Sequence, residues 1–238
     1  MSEKTMIGIG GFAGAGKDTL ADKISEKAFT HLVSCQKLPM AYPLKRQVSL
    51  LYHLSEEQLN SELKAKQTEM ILDKRVLDLV LRSEFHWLLT HSQINDLVEA
   101  YLGVIEDHFD VRHHRHSPIY QFKATPRRIL QVHGTEFARN KIQDDVWVVF
   151  HDRQAKQMHG EVILVPDIRF KDEAGYIMER GYLAVVDRPN QRTIADKGHA
   201  SEGVHNVLSL ADKVITNEEG KAHRLDDYAE DIVAHWIL

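Results

Sequence analysis

The sequence predicts an α/β protein with three α/β/α layers, in which helices cover both faces of a central parallel sheet. Three apolar runs of strand length, at residues 6–9, 161–165 and 181–186, each lead into a glycine-rich or polar segment. A pattern of helical spacing follows the first run, at residues 19–29, and residues 31–35 after it could form a second short strand. Strands that alternate with helices are typical of parallel sheets, which is why we expect this class.

The composition predicts an ordinary globular protein. With 238 residues, of which 43% are hydrophobic and 27% charged, we expect one domain with an insertion, spanning residues 1–238. The net charge of −5 argues against a broad basic surface for nucleic acid. No run approaches the roughly 18 apolar residues that a membrane span requires. The single cysteine, Cys35, favours a reducing compartment. We therefore expect a cytoplasmic protein that acts on small molecules, without nucleic-acid or membrane partners.

Residues 11–17, Gly-Phe-Ala-Gly-Ala-Gly-Lys, fit the G-x-x-x-x-G-K phosphate-loop pattern between the first predicted strand and helix. Glycines let backbone N–H groups turn towards a polyphosphate, and the following helix directs its positive dipole end at the same charge. Lys17 is expected to reach the β and γ phosphates. The candidate nucleotide-binding residues are Gly11, Ala13, Gly14, Ala15, Gly16, Lys17, Asp18 and Thr19. The alternative is a glycine-rich turn that holds no ligand.

Two aspartates are candidate Mg²⁺ ligands. Asp18 stands where the pattern usually has a serine or threonine, and Thr19 comes one position later. A carboxylate beside a triphosphate is repulsive unless a cation lies between them, so we expect Asp18 to help hold Mg²⁺. Asp167 ends the apolar run at 162–166, at the edge of the sheet where ligands of open α/β folds bind. The alternative for Asp167 is that it caps the following helix.

A basic pair points to a second anion. Arg127 and Arg128 follow a predicted helix start at Pro126, where two cations gain nothing from the helix dipole. A phosphate gripped by guanidinium groups would explain them, and solvated surface arginines are the alternative. The helical pattern pauses at residues 133–136 and resumes with Phe137.

Residues 55 to about 120 are predicted to form a helical insertion. Ser55 fits a capped helix start, and Met70 and Ile71 open a series of apolar residues at helical spacing. We expect the insertion to cover or flank an acceptor site, and it offers a face for a homodimer. The histidines of 108–116 indicate a polar loop, with a metal site as the alternative.

Residues 188 to about 202 are predicted to form a lid. They are polar, lack core positions and include Arg188 and Arg192, as expected for a segment that closes over phosphates. Arg169, two residues after Asp167, is a further candidate to contact the transferred phosphate.

Five motifs together resemble the phage-type deoxynucleoside monophosphate kinases, a branch of the P-loop nucleoside monophosphate kinase superfamily. They are Gly-x-x-Gly-x-Gly-Lys-Asp-Thr at 11–19, Ala-Tyr-Pro-Leu-Lys at 41–45, Pro-Arg-x-x-Leu-Gln-x-x-Gly-Thr-Glu-x-x-Arg at 126–139, Asp-Ile-Arg-Phe at 167–170 and His-Ala-Ser-Glu at 199–202. The first motif alone indicates only a phosphate loop, whereas the set indicates this family.

The resemblance implies a P-loop kinase fold and transfer of the γ-phosphate of ATP to a deoxynucleoside monophosphate, with ATP and Mg²⁺ as cofactors, in the host cytoplasm if the chain is viral. It implies an acceptor site made of Lys45, Arg127, Arg128, Gly134, Thr135, Glu136, Arg139 and Trp147. It places Asn217 near the adenine of ATP. The candidate catalytic residues are Lys17, Asp18, Asp167, Arg169, Arg188 and Arg192.

Two alternatives stay open at this point. One is a P-loop kinase of another phosphorylated acceptor, such as dephospho-coenzyme A or phosphomevalonate. The other is a nucleotide-dependent switch, which the sequence disfavours because it lacks a guanine-recognising Asn-Lys-x-Asp motif.

Overall fold

The computed structural model describes residues 4–12, 14–188, 205–218 and 223–238. They belong to two compact units, which are Met1–Tyr42 with Trp147–Leu238, and Pro43–Val146. The second unit contains the predicted insertion together with both of its flanks. The predicted single-domain organisation, and the roles of the insertion over an acceptor site and in a homodimer, stay predictions.

The described part of the first unit is built on a five-stranded, entirely parallel sheet of order β2-β6-β1-β7-β8. Its strands are β1 (Thr5–Gly11), β2 (Cys35–Lys37), β6 (Val162–Ile168), β7 (Gly181–Asp187) and β8 (Lys213–Thr216). The helices are α1 (Lys17–Thr30), α7 (Val146–Gln157), α8 (Lys171–Met178), α9 (His205–Leu208), α10 (Arg224–Ile232) and a π-helical end, Val233–Ile237. The sheet and its flanking helices confirm the predicted fold class.

The central strand β1 sends alternate side chains to opposite faces of the sheet. Ile7 and Ile9 pack in one core cluster with Ile24 of α1, and Met6 packs in the other with Ile177 of α8. This two-residue period is what a strand covered on both faces requires. Each fully buried side chain of this size stabilises the fold by about 1.5–3 kcal/mol.

The second strand begins later than the sequence predicted. The expected strand at 31–35 is replaced by β2 at Cys35–Lys37. Leu32 has φ 61° and is 89% exposed, and the N–H of Val33 donates to the Ala28 carbonyl at the end of α1. These residues complete the helix end, so they are not available to the sheet.

The second unit combines helices with a three-stranded antiparallel sheet of order β3-β5-β4, as far as the described residues show. The strands are β3 (Thr68–Asp73), β4 (Arg112–His113) and β5 (Ile119–Ala124). The helices are α2 (Tyr42–Tyr52), α3 (Glu56–Asn60), a 3₁₀ turn (Glu62–Ala65), α4 (Lys74–Phe85), α5 (His91–His108), α6 (Pro126–Gln131) and a π-helix (Val132–Arg139).

The prediction that Met70 and Ile71 belong to a helix is wrong, because both lie in β3. Met70 and Leu72 are buried and Ile71 between them is half exposed, which is the alternation of a strand. A short apolar run fits either period, so spacing alone did not separate them. The predicted capped start at Ser55 is confirmed, since Ser55 and Gln58 exchange hydrogen bonds at the start of α3.

No helix within the described ranges combines the length and the apolar character needed to cross a bilayer.

Two glycines of the first unit differ in the space that surrounds them. A Cβ at Gly181 would lie 1.9 Å from the carbonyl oxygen of Met6, whereas a Cβ at Gly175 in α8 would have no described atom within 4 Å. We expect Gly181→Ala to lower the free energy of unfolding by about 2 kcal/mol or more, because β1 and β7 must separate. Gly175→Ala should raise it by about 0.5–1 kcal/mol. Urea unfolding measures both, and equal effects would contradict the tight packing at Gly181.

Candidate active site

The loop between β1 and α1 has a backbone that requires glycine. Gly11, Gly14 and Gly16 have φ angles of 144°, 73° and 104°, which side chains of L-residues rarely allow. A Cβ at Gly11 would also lie 2.5 Å from the carbonyl oxygen of Val186, and one at Gly16 would lie 2.6 Å from Nδ2 of Asn217. The conformation therefore selects glycine at all three positions, and close packing does so as well at Gly11 and Gly16.

Side chains hold the loop by its carbonyl groups. Among its described residues, three carbonyl oxygens accept hydrogen bonds from side chains: Phe12 O from Lys17 Nζ (2.9 Å), Gly14 O from Arg188 Nη1 (3.2 Å) and Ala15 O from Asn217 Nδ2 (2.8 Å). The carbonyl and N–H groups of one trans peptide point in opposite directions. The N–H of Gly16 is therefore directed away from Asn217.

The helix that follows begins without a side-chain cap, as far as the described residues show. Gly16 occupies the cap position of the 14-residue helix α1 and lacks a side chain that could bond the first N–H groups. Asp18 and Thr19 lie exposed in the first turn. Unsatisfied N–H groups and the helix dipole together favour an anion at this end.

Lys17 is a buried cation beside a carboxylate. Its side chain is 6% exposed, and Nζ lies 3.6 Å from Oδ1 of Asp167. Burial lowers the pKa of Lys17, and the negative charges of Asp167 and Asp18 oppose that shift. A polyphosphate bound at the loop would add negative charge and favour the protonated lysine.

Asp167 lies at an irregularity of β6. The pairing of β1 with β6 shifts register where Gly10 pairs with Ile168, so Asp167 has no partner in this ladder and has φ 73°. Arg169 Nη2 lies 3.6 Å from Oδ1 of Asp167. At the start of α8, Glu173 accepts hydrogen bonds from the N–H groups of Arg169 and Phe170, so this helix has a carboxylate cap of its own.

Of the remaining predicted residues of the first unit, Trp147 belongs to helix α7, and the others lie outside the described ranges. Trp147 is buried in α7, with its ring 6.0 Å from that of Phe150. Ala13, Arg192 and the predicted lid beyond Arg188 lie outside the described residues.

In the second unit, Arg128 is held from two sides. Thr125 caps α6, because its Oγ1 accepts from the N–H of Arg128 at 3.1 Å, which confirms the predicted helix start. The guanidinium donates to Oε1 of Glu136 at 3.0 Å and to Nδ1 of His108 at 3.2 Å. Since arginine only donates, Nδ1 of His108 is the acceptor in this contact. Arg127 is half-buried in the same turn.

The predicted pause in the helical pattern is a π-helix, Val132–Arg139. Short π-helical segments are rare and frequently lie at functional sites. This one carries four of the predicted acceptor residues: Gly134, Thr135, Glu136 and Arg139. A Cβ at Gly134 would lie 3.1 Å from a methyl carbon of Leu44 in α2. Lys45, the next residue of α2, donates from Nζ to Oδ1 of Asn60 at 2.7 Å.

A buried polar network supports the π-helix. His133 is fully buried and contacts Gln47 of α2 through Nε2 (2.9 Å) and Tyr101 of α5 through Nδ1 (3.2 Å). The hydroxyl groups of Tyr101 and Tyr52 are 2.9 Å apart. Burial lowers the pKa of His133 to about 3, so the imidazole is neutral at physiological pH. The network ties three helices together with directional bonds.

Sequence reasoning missed the roles of His108 and His133. His108 was assigned to a polar loop, and its partner Arg128 is 20 positions away, so only the fold brings the two together. The loop itself has His113 stacked on Tyr120 at 4.4 Å. Within the described ranges, no three histidine, cysteine, aspartate or glutamate side chains form a group that could hold a metal ion.

The stability of substituted proteins tests whether the backbone at Asp167, with φ 73°, is strained. Asparagine accepts φ near 70° more readily than alanine, which pays about 1–2 kcal/mol in this region. We therefore expect Asp167→Ala to be about 1 kcal/mol less stable in urea unfolding than Asp167→Asn, since both lose the same charge. At Asp22, on the exposed face of α1, alanine should be at least as stable as asparagine. Equal stability of the two Asp167 variants would contradict the strained backbone.

The chain was compared with known proteins. A family model described as deoxynucleotide monophosphate kinase matches residues 5–227. A deoxynucleoside-5′-monophosphate kinase of Escherichia phage T5 is 21% identical over 184 residues, which are 75% of this chain and 73% of the phage protein. A protein of Acanthamoeba polyphaga mimivirus, named provisionally as a deoxynucleotide monophosphate kinase, is 31% identical over 112 residues. That match covers 41% of this chain and 56% of the mimivirus protein.

Proposed function

Because the chain belongs to the deoxynucleotide monophosphate kinase family, we propose that it transfers the γ-phosphate of ATP to a deoxynucleoside 5′-monophosphate, giving ADP and the deoxynucleoside diphosphate. The observation that carries the proposal is the glycine loop with the buried Lys17, next to the uncapped start of α1. This arrangement supports a triphosphate at the loop, since N–H groups, a helix dipole and an ammonium group favour the same anion.

The side chains near the loop suit Mg²⁺. This ion prefers oxygen ligands, keeps several waters and usually takes one or two carboxylates together with phosphate oxygens. Asp167 next to Lys17, and Asp18 one residue after it, provide two carboxylates of this kind. We propose that these two aspartates hold the ion, which when bound offsets the charge of the phosphates.

The acceptor phosphate is proposed to bind at the start of α6. A guanidinium group has five N–H donors, and the bonds of Arg128 to Glu136 and His108 orient that group while leaving further donors for a phosphate. Arg127 in the same turn adds a second positive charge. The neighbouring π-helix supplies the other candidate acceptor contacts.

The chemistry proposed here needs no general base. A nucleoside monophosphate loses its second proton near pH 6, at about the pKa of phosphate esters, so the attacking oxygen is largely ionised at neutral pH. The protein must align two anions that repel each other and offset their charge. The positive charge of Lys17 is suited to offset the charge of the phosphates at the loop. Further candidates for the same role are Arg169, Arg188 and Arg192.

An acceptor panel tests the proposal. We expect ADP release from ATP to depend on dTMP, dGMP, dCMP or dAMP. We expect Lys17→Ala to lower turnover about 10²–10³-fold, because it removes a positive charge of the enzyme that stabilises the transition state. Lys27→Ala, near the other end of the same helix where Nζ pairs with Glu230 at 2.8 Å, is the matched control. The panel includes the ribonucleotides, dephospho-coenzyme A and phosphomevalonate. Two results would overturn the proposal. One is phosphorylation of dephospho-coenzyme A or phosphomevalonate alone, and the other is slow ATP hydrolysis at a rate that no acceptor changes.

Magnesium titrations test the role of Asp18. We expect Asp18→Ala to lower turnover and to raise the Mg²⁺ concentration needed for half-maximal activity, because one of two carboxylates is lost. Asp22→Ala removes an exposed aspartate one turn further along α1 and should leave the Mg²⁺ dependence unchanged. If the two variants show the same Mg²⁺ dependence, Asp18 does not hold the ion.

A further inference from the structure

Asn217 follows β8 and contacts the phosphate loop directly. Its side chain is 9% exposed, and Nδ2 donates to the carbonyl oxygen of Ala15 at 2.8 Å. Its own N–H donates to the carbonyl oxygen of Asp187 at the end of β7, also at 2.8 Å. The residue is therefore anchored to the sheet by its backbone and to the loop by its side chain.

The contact continues to the next residue of the loop. A Cβ at Gly16 would meet Nδ2 of Asn217 at 2.6 Å, so the backbone of Gly16 lies against the amide group. The peptide between Ala15 and Gly16 is thus held through its carbonyl on the side of Asn217. Its N–H therefore points to the opposite side, away from Asn217.

The bond from Asn217 differs in kind from the two other side-chain bonds to the loop. Lys17 and Arg188 are cations that a polyphosphate attracts, so a bound nucleotide competes with the loop carbonyls for them. Asn217 is neutral and its donor is directed at the protein. A bound polyphosphate therefore does not compete with the Ala15 carbonyl for the amide donor of Asn217.

We propose that Asn217 is a positioning residue that fixes the Ala15–Gly16 peptide for polyphosphate binding and does not recognise the base of the nucleotide. This differs from the adenine contact that the sequence resemblance implies. The inference rests on the proposed function only in that a nucleoside triphosphate binds at the loop. It requires no particular acceptor.

The two roles predict different ligand dependence. A residue that recognises adenine matters for ATP and not for a ligand that lacks the base. A residue that orients a loop peptide matters equally for ATP, GTP and inorganic tripolyphosphate, because all three present phosphate oxygens to the same N–H groups. A neutral replacement is needed, since a carboxylate would repel all three anions by its charge alone.

The experiment compares Asn217→Leu, which is similar in size and cannot donate, with the wild-type protein and with Gln157→Leu, an exposed amide of α7. Calorimetry measures the Kd of ATP, GTP and tripolyphosphate. Loss of a buried hydrogen bond that leaves the Ala15 carbonyl without its donor should raise each Kd about tenfold or more, by a common factor. The KM of the acceptor should stay unchanged, and Gln157→Leu should match the wild type.

Three results would overturn the inference: a rise confined to ATP, no rise for any ligand, or a wild-type protein that binds none of the three. If Asn217→Leu does not fold, as judged by circular dichroism, Asn217→Ala removes the same donor with a smaller side chain and must give the same common factor. A protein that phosphorylates no monophosphate but shows the common factor would reject the proposed function and support the positioning role.

Discussion

The parallel alignment of the strands is the constraint on which the loop and its surroundings depend. Because β1, β6, β7 and β8 run in one direction, their carboxyl ends meet at one edge of the sheet. That edge carries the glycine loop after β1, Asp167 in β6, Arg188 after β7 and Asn217 after β8. A loop of a few residues is therefore contacted by side chains as far as 202 positions away in the sequence.

Cations and carboxylates lie close together at this edge. Burial lowers the pKa of Lys17, and the negative charge of the nearby Asp167 partly offsets this shift. Arg169 lies as close to the same carboxylate oxygen as Lys17 does, so one negative group is shared by two cations. Asp18 is a second negative charge that acts on Lys17, so the two cations face two carboxylates. A polyphosphate bound here would therefore need a further cation, which is the place of the proposed Mg²⁺.

Sequence patterns predicted those parts of the structure that depend on local spacing. The strands at residues 162–168 and 181–187, the cap at Thr125 and the glycine loop follow from periodicity and from the conformational needs of single residues. Met70 was misassigned because a short apolar run fits two periods. The π-helix and the contact between His108 and Arg128 depend on tertiary packing, so no local pattern predicts them.

The motifs placed Arg188 near the transferred phosphate and Asn217 near adenine, and both expectations stay predictions. What the motifs did not show is that both side chains donate to carbonyl groups of the loop. Which atoms such residues reach depends on strand register: Asp187 pairs with Thr216, so Asn217 is the first residue beyond the ladder. Each of these two side chains thus holds the backbone of the loop. In this fold, the shape of the glycine loop depends on the ends of three other strands as well as on its own glycines.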